Sequence, residues 1–322
     1  MRAFMQRRMA AWIRRRQGTD LLPVTLQRRR LYILPTRAGL AFGALLLLML
    51  IAGLNYANSL ALLVTFLLAA LELVAMHTCH RNLLGLTVAE LSAQDSFAAQ
   101  HAQLRVRLAN SSAQPRFGLE VDGAGIAAVA CTAPANGEVV VSLRLATPRR
   151  GLLSIGRLRI ASSWPFGLFR AWTWLHVAQA VTVYPRPAGQ RPLPLAAGSG
   201  SGTAPRESAD IDEWAMLRPF RDGDSPRQVA WKAYARGAPL LVKEYTASGS
   251  VERLFDFTTL TDLDTEQRLS QLARWIVDCA ADGETFGMRL PQRFIALDQG
   301  TLHRQRCLRA LALFGSAGPT DA

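Results

Sequence analysis

The sequence predicts a membrane-anchored α+β chain: a two-helix transmembrane hairpin, then an antiparallel β-sandwich, then a small α/β piece. Three observations predict it. Ala38–Leu71 is a run of 34 residues without a formal charge. Between Leu86 and Pro187 apolar and polar residues alternate with a period of two. After Glu252 a helical period takes over, with Leu269, Leu272, Ala273, Ile276, Val277 and Ala280 on one stripe. Half of the 322 residues are apolar, enough to bury a large core, which excludes a disordered or collagen-like polymer.

The chain divides into a basic leader (1–37), the hairpin (38–80), the sandwich (81–187), a linker (188–213) and a last segment with the α/β piece (214–322). The leader carries ten arginines against Asp20 alone, whereas residues 81–322 hold 27 basic and 22 acidic side chains, so most of the net charge of +13 sits ahead of the hairpin. Nucleic-acid binding needs cations concentrated on the folded surface, so anionic lipid is the expected partner and nucleic acid is not. At about 1.5 Å per residue one helix over the uncharged run would overshoot a roughly 30 Å hydrocarbon core. Two spans fit, Ala38–Leu54 and Ser59–Met76, turning at the polar Asn55–Asn58. Arginines flank the outer ends (Arg28, Arg29, Arg30, Arg37, Arg81) and none lies in the turn, which predicts that both termini are cytoplasmic. Glu72, inside the second span, reads as a carboxylate that snorkels or meets the other helix. The leader's Arg7-Arg8 and Arg14–Arg16, mixed with Phe4, Trp12 and Ile13, suit either an interfacial helix or a basic tail.

In the sandwich, Leu104, Val106 and Leu108 alternate with Arg105 and Arg107, and Val139, Val141, Leu143 and Leu145 do the same. Turn signals recur at Asn110–Ser112, Asp122-Gly123, Asn136-Gly137 and Arg150-Gly151. In Trp164-Pro-Phe-Gly-Leu-Phe169, Pro165 and Gly167 shape a bend that points Phe166 and Phe169 into the core. The prolines and the Gly198–Gly202 run between Arg186 and Asp212 predict a mobile loop.

Leu217–Arg236 is the densest signal in the chain. Asp222-Gly223 reads as a turn, Asp224 or Ser225 as an N-cap, and Pro226 as the first residue of a helix of about three turns closed by Gly237. Val229, Ala233 and Tyr234 then pack on one side, Arg227, Lys232 and Arg236 project as cations, and Trp231 stacks on an arginine or anchors the helix in the core. The favoured reading is a buried ion network of Asp224, Arg227 and Arg236; the alternative is a charged surface that meets a partner.

Several of these stretches together resemble the domain of unknown function 58 (DUF 58) family of membrane-anchored bacterial proteins. They are Asn55-Tyr-Ala-Asn58, Pro148-Arg-Arg-Gly151, Leu158-Arg-Ile160, Trp164–Phe169 and Val181–Arg186, with Arg218, Gly223, Asp224, Arg227, Trp231, Ala235 and Arg236. Phe220 stands where that family often has tyrosine, and Ala230 where an acidic residue or asparagine often precedes the tryptophan. The resemblance implies a shortened von Willebrand factor A-like C-terminal part. It also implies partnership with a MoxR-type AAA+ ATPase, and a transglutaminase-like membrane protein as a companion. The metal-binding run of that fold needs an Asp followed by two hydroxyls at alternate positions, matched here by Asp256, Thr258 and Leu260. Leucine offers no oxygen, so no metal is expected.

No cofactor is expected either. Cys79, Cys131, Cys279 and Cys307 lack a paired spacing, and Gly198–Gly202 lacks the Lys-Ser/Thr of a phosphate loop. The expected function is a membrane-anchored interaction or assembly protein rather than an enzyme. The alternative is a membrane-associated hydrolase using Asp224 with Arg227, against which it counts that an aspartate held ionised among arginines is a weak base.

Overall fold

A computed structural model of the chain describes residues 20–195, 214–220, 229–237, 239–245, 252–315 and 320–321. The amphipathic part of the leader and the Gly198–Gly202 run lie outside the described residues. The chain forms two compact units: the first runs to Gln190 and takes in Leu263–Arg274 and the chain from Gln305, and the second holds Arg191–Asp262 and Trp275–Arg304.

In the first unit, α1 (Arg37–Asn55) and α2 (Ser59–Leu83) are two helices long and apolar enough to cross a membrane. Each starts on a side-chain cap: Thr36 Oγ1 accepts from Gly39 N at 3.1 Å, and Asn58 Oδ1 accepts from Leu60 N and Ala61 N at 3.1 and 3.0 Å. Asn58 thereby ends the polar turn that the sequence predicts. The helices leave their leucines uncovered, with Leu48 65% and Leu67 67% exposed, as suits helices whose solvent is lipid rather than a protein core. α2 runs beyond the predicted Met76 because its last turns pack on protein. Cys79 and Leu83 join the sheet core, and Asn82 Nδ2 donates to Phe117 O at 2.8 Å and Ser162 Oγ at 2.7 Å.

Twelve strands follow the chain through this unit: β1 (Val24–Thr25), β2 (Tyr32–Pro35), β3 (Leu86–Ala93), β4 (Ser96–Phe97), β5 (Gln100–Asn110), β6 (Arg116–Gly123), β7 (Ile126–Ala133), β8 (Gly137–Thr147), β9 (Gly151–Ser154), β10 (Arg157–Ser162), β11 (Phe169–His176) and β12 (Ala180–Tyr184). Nine of them make one antiparallel sheet in the order β1-β3-β5-β8-β7-β6-β10-β11-β2. Leu104, Val106 and Leu108 on β5 are fully buried and face Leu143, Val141 and Val139 on β8, so the period-two pattern marks the core face as predicted. The predicted turn at Asn136-Gly137 closes the β7–β8 hairpin, whereas Asp122 and Gly123 are the last residues of β6 and the β6–β7 turn falls on Ala124-Gly125, with Gly125 at φ +68°.

The layering departs from the predicted two-sheet sandwich. The long strands belong to one curled sheet, and a second, four-stranded sheet joins β9, β12, β4 and a last strand, Thr320–Asp321, with mixed pairing. Turn signals reveal hairpins, but not which sheet each strand joins. The curl follows from the leader, whose strands β1 and β2 form the two outer edges of the nine-stranded sheet. Laid flat, those edges would stand about 38 Å apart at roughly 4.8 Å per strand. Thr25 and Tyr32 are only seven residues apart in the chain and can span at most about 25 Å. The sheet must therefore bend round until its edges approach.

The second unit contains a hairpin of β13 (Trp214–Pro219) and β14 (Leu241–Tyr245), and a three-stranded sheet of β15 (Glu252–Asp256), β16 (Thr285–Leu290) and β17 (Arg293–Asp298). β15 and β16 are parallel and β16 and β17 antiparallel, the predicted strand-helix-strand arrangement. α3 (Trp231–Tyr234), a single turn, lies between β13 and β14 in the chain; α4 (Thr265–Ala281), whose residues to Arg274 belong to the first unit, lies between β15 and β16, and α5 (Thr301–Leu313), which belongs to the first unit from Gln305, follows β17. On α4, Leu269, Leu272, Ala273 and Ile276 are fully buried; Val277 and Ala280 are half-buried, and Trp275 and Cys279 complete the buried face instead. Phe255 stacks on Phe286 at 6.0 Å and packs on Trp275 at 5.5 Å.

The start of the predicted mobile loop is fastened within each unit. In the first, Ala188 N donates to Ser270 O at 3.2 Å and Gly189 O accepts from Arg274 at 2.6 Å. In the second, Arg191 O accepts from Trp275 Nε1 at 3.2 Å. Backbone carbonyls in a proline-rich stretch are as free to accept as any others, and α4 supplies donors.

Candidate functional site

Of the charged signature, Gly223, Asp224 and Arg227 lie outside the described residues, as do the side chains of Arg218 and Lys232. Arg218 stands on β13 opposite Val242 on β14. The predicted helix from Pro226 to Arg236 is not continuous. Val229 and Ala230 are buried, Ala230 N donates to Leu241 O at 2.8 Å, and among the described residues of this stretch only Trp231–Tyr234 is helical. A backbone N–H already committed to the neighbouring strand cannot also belong to a helix. Gly237, at φ +88°, closes the turn as predicted, its N–H bonded to Tyr234 O at 3.0 Å.

Trp231 is not the apolar anchor. It is 55% exposed and meets the 53% exposed Tyr234 edge-on at 6.4 Å, while Val229 and Ala230 hold the segment down. Arg236 is exposed too, so the predicted buried network does not include it.

The first unit brings together two of the motifs that lie far apart in sequence. Pro148, Arg149 and Arg150, between β8 and β9, and Pro185 and Arg186, just past β12, line one cleft of about 490 Å³ with Glu266 and Ser270 of α4. The strand ends beneath it are locked by side chains. Thr147 Oγ1 donates to Gln100 O at 2.8 Å, and Asp95 accepts from Thr182 N at 3.1 Å and from the Tyr184 hydroxyl at 2.7 Å. Arg150 is nearly buried, paired with the Glu266 carboxylate and donating to Phe314 O at 2.7 Å; its Nε is buried without a hydrogen-bond partner. Arg149 and Arg186 are exposed and make no ion pair among the described residues. The cleft thus offers planar cationic donors, with one carboxylate already engaged, and suits an anionic group. Nothing in the sequence assigned these arginines a site, although a Pro-Arg at the ends of two separate strand regions is the signal that marks them.

The second unit carries a half-buried polar cluster with different chemistry. Arg253 donates to Glu284 through Nε at 2.6 Å and Nη2 at 3.0 Å, and Cys279 Sγ lies 3.3 Å from the same carboxylate. The hydrogen bond from Arg253 holds Glu284 below the usual carboxylate range, against some desolvation. Burial first, then the hydrogen bond to Glu284, pushes the Cys279 thiol up to about 12, so it is protonated and inert as a nucleophile. Asp256 Oδ1 accepts from Thr258 N at 2.8 Å and Thr258 Oγ1 at 2.6 Å, and Arg289 stands 3.6 Å from its other oxygen. Burial works to raise its pKa, but those hydrogen bonds and Arg289 outweigh it and the net shift is downward. Leu260 is buried, so Asp256 caps a short turn rather than sharing a ligand shell with that position.

Compared with known protein families, curated proteins and solved structures, the chain matches none.

Proposed function

We propose that this chain is a membrane-anchored interaction protein whose arginine cleft receives an acidic segment of another protein. The observation that carries the reading is the pair Arg149 and Arg186, two uncommitted guanidinium groups brought to one cleft from separate strand ends. The two apolar helices support the anchor, and the arginines outside the hairpin support a cytoplasmic position for both termini at the inner membrane. β1 and β2 precede the hairpin and pair with β3 and β11 after it, so both flanks share one side of any bilayer the helices cross. A MoxR-type AAA+ ATPase and a transglutaminase-like membrane protein are the partners that the family resemblance suggests. The parallel β15–β16 pair joined by α4 is compatible with a shortened von Willebrand A-like core.

The test is fluorescence anisotropy of a labelled glutamate-rich peptide titrated with the detergent-solubilised full chain. Binding should weaken with salt and fall about tenfold, some 1.4 kcal/mol, in the double variant Arg149→Ala/Arg186→Ala. No binding, or equal binding by the variant, would sink the proposal.

A further inference from the structure

The bend at Trp164–Phe169 does not do what its composition predicts. Gly167, at φ +70°, makes the turn, and Phe169 packs partly against the sheet core, but Phe166 is turned outward and is 59% exposed. Trp164 is 37% exposed and Phe117, whose ring lies 5.5 Å from the Trp164 ring, is 40% exposed. Leu34, at 59%, is two residues from the cap of α1. Four large apolar side chains are thus uncovered around this loop and the start of α1.

That neighbourhood is where the two apolar helices meet the sheet. Thr36, the cap of α1, donates through its backbone N–H to Leu168 O at 2.8 Å and through Oγ1 to Gly167 O at 2.6 Å. One turn further in, Gly39 lies so close that a Cβ there would sit 2.0 Å from Leu168 O, leaving room for hydrogen alone. From the other helix, Asn82 holds Phe117 O and Ser162 Oγ, and the latter also accepts from Trp164 N at 3.3 Å. The loop therefore stands at the level where α1 begins and α2 ends. Cations share that level: Arg37 opens α1, Arg81 lies in the last turn of α2, and Arg116 donates to the Arg81 carbonyl.

We propose that Trp164, Phe166, Phe117 and Leu34 dip into the headgroup layer of an anionic bilayer as a second, non-spanning contact beside the hairpin. This rests on the reading that α1 and α2 cross the membrane. Aromatic rings gain from the interface because one part of the ring is buried against acyl chains while its edge or N–H stays wet, and neighbouring arginines meet the phosphates. Lipid is the occupant that fits: the patch is continuous with the apolar surface of the helices, and its flanking charge is complementary to anionic headgroups. The contact fixes the sheet against the membrane surface rather than leaving it to swing on two helix ends.

The full chain, with half-buried Cys131 replaced by serine, is reconstituted into vesicles of phosphatidylglycerol and phosphatidylcholine. An environment-sensitive fluorophore is attached at Phe166→Cys or, separately, at Leu48→Cys, which lies eleven residues along α1 and about 16 Å deeper. Nitroxide lipids labelled near the headgroup should quench the label at 166 about twofold, and lipids labelled deep in the chain should quench the label at 48. A label at 166 that is open to aqueous iodide, with 48 quenched by lipid, overturns the loop contact and leaves the anchor standing. A label at 166 shielded from both water and lipid means that a protein covers the patch, and also overturns it. A label at 48 that lipid does not quench removes the membrane reading and this proposal with it.

Discussion

On the strand faces, Arg159 of β10 lies opposite Asp122 of β6 and Trp174 of β11, grips both carboxylate oxygens at 2.6–3.1 Å, and spreads over the indole ring at 5.9 Å. At the strand ends, Arg149 and Arg186 face a cleft with no carboxylate of their own. The residue type is the same and the register decides the difference: a side chain in mid-strand has a partner opposite it on each neighbouring strand, whereas one past the last ladder bond has none. Pairing stabilises the fold; the absence of pairing leaves a cation free for something else. Arg107, between Glu90 at 3.3 Å and Glu138 at 3.5 Å, shows a third case, paired but so exposed that solvent screens most of the gain.

The comparison can be broken most directly where pairing is most buried. Arg253→Ala should destabilise the detergent-solubilised chain by about 2 kcal/mol, between the values for exposed and fully buried pairs, as read from denaturant midpoints. A shift under about 0.5 kcal/mol would show that the Arg253–Glu284 pair is ornamental. The same pair sharpens the comparison through pH. Glu284 has a lowered pKa in the fold, so its contribution is present above the ordinary carboxylate value near about 4.3 and is lost as pH falls through the lowered one. The gap between wild type and Arg253→Ala should accordingly be full at neutral pH and close in acid; a gap that widens in acid reverses the assignment. Next comes Arg159→Ala, at about 1 kcal/mol, since its pair is bidentate but partly wet. Smallest in stability is Arg149→Ala with Arg186→Ala, within about 0.5 kcal/mol of wild type, although this is the substitution expected to weaken acidic-peptide binding about tenfold. Marked unfolding of that double variant would place the cleft arginines with the structural ones.

Local periodicity carried the reading of the long strands and of α4 because burial repeats every second or every third to fourth residue, as in Leu104, Val106 and Leu108 or Leu269, Leu272 and Ile276, while α1 and α2 were legible as an uncharged run with one polar break. β1 and β2 could not be seen that way. They are two and four residues long, and β2 exists only because Trp172 and its neighbours lie beside it far along the chain. Phe166 was misread for a related reason: a side chain that faces solvent near two apolar helices has the composition of one that faces a core. The cleft was invisible because it depends on two strand ends and a helix meeting. Trp231 erred in the opposite sense, its size suggesting burial while the small Val229 and Ala230 take the buried places.

The leader strands have a bearing on how the molecule is made. β1 and β2 are translated before either helix, yet the pairing surface of β3 comes only after the hairpin, and Tyr32 finds Trp172 only when β11 has left the ribosome. Until then the sheet that runs from β3 to β10 has no strand to close it on the β2 side. A chain shortened to begin after the hairpin would keep that condition permanently, with β3 and β11 left as bare outer strands whose unpaired backbone groups invite a neighbouring chain to add to them. These early-made strands thus act as the sheet's closing selvedge, and their loss would turn it into a template for stacking.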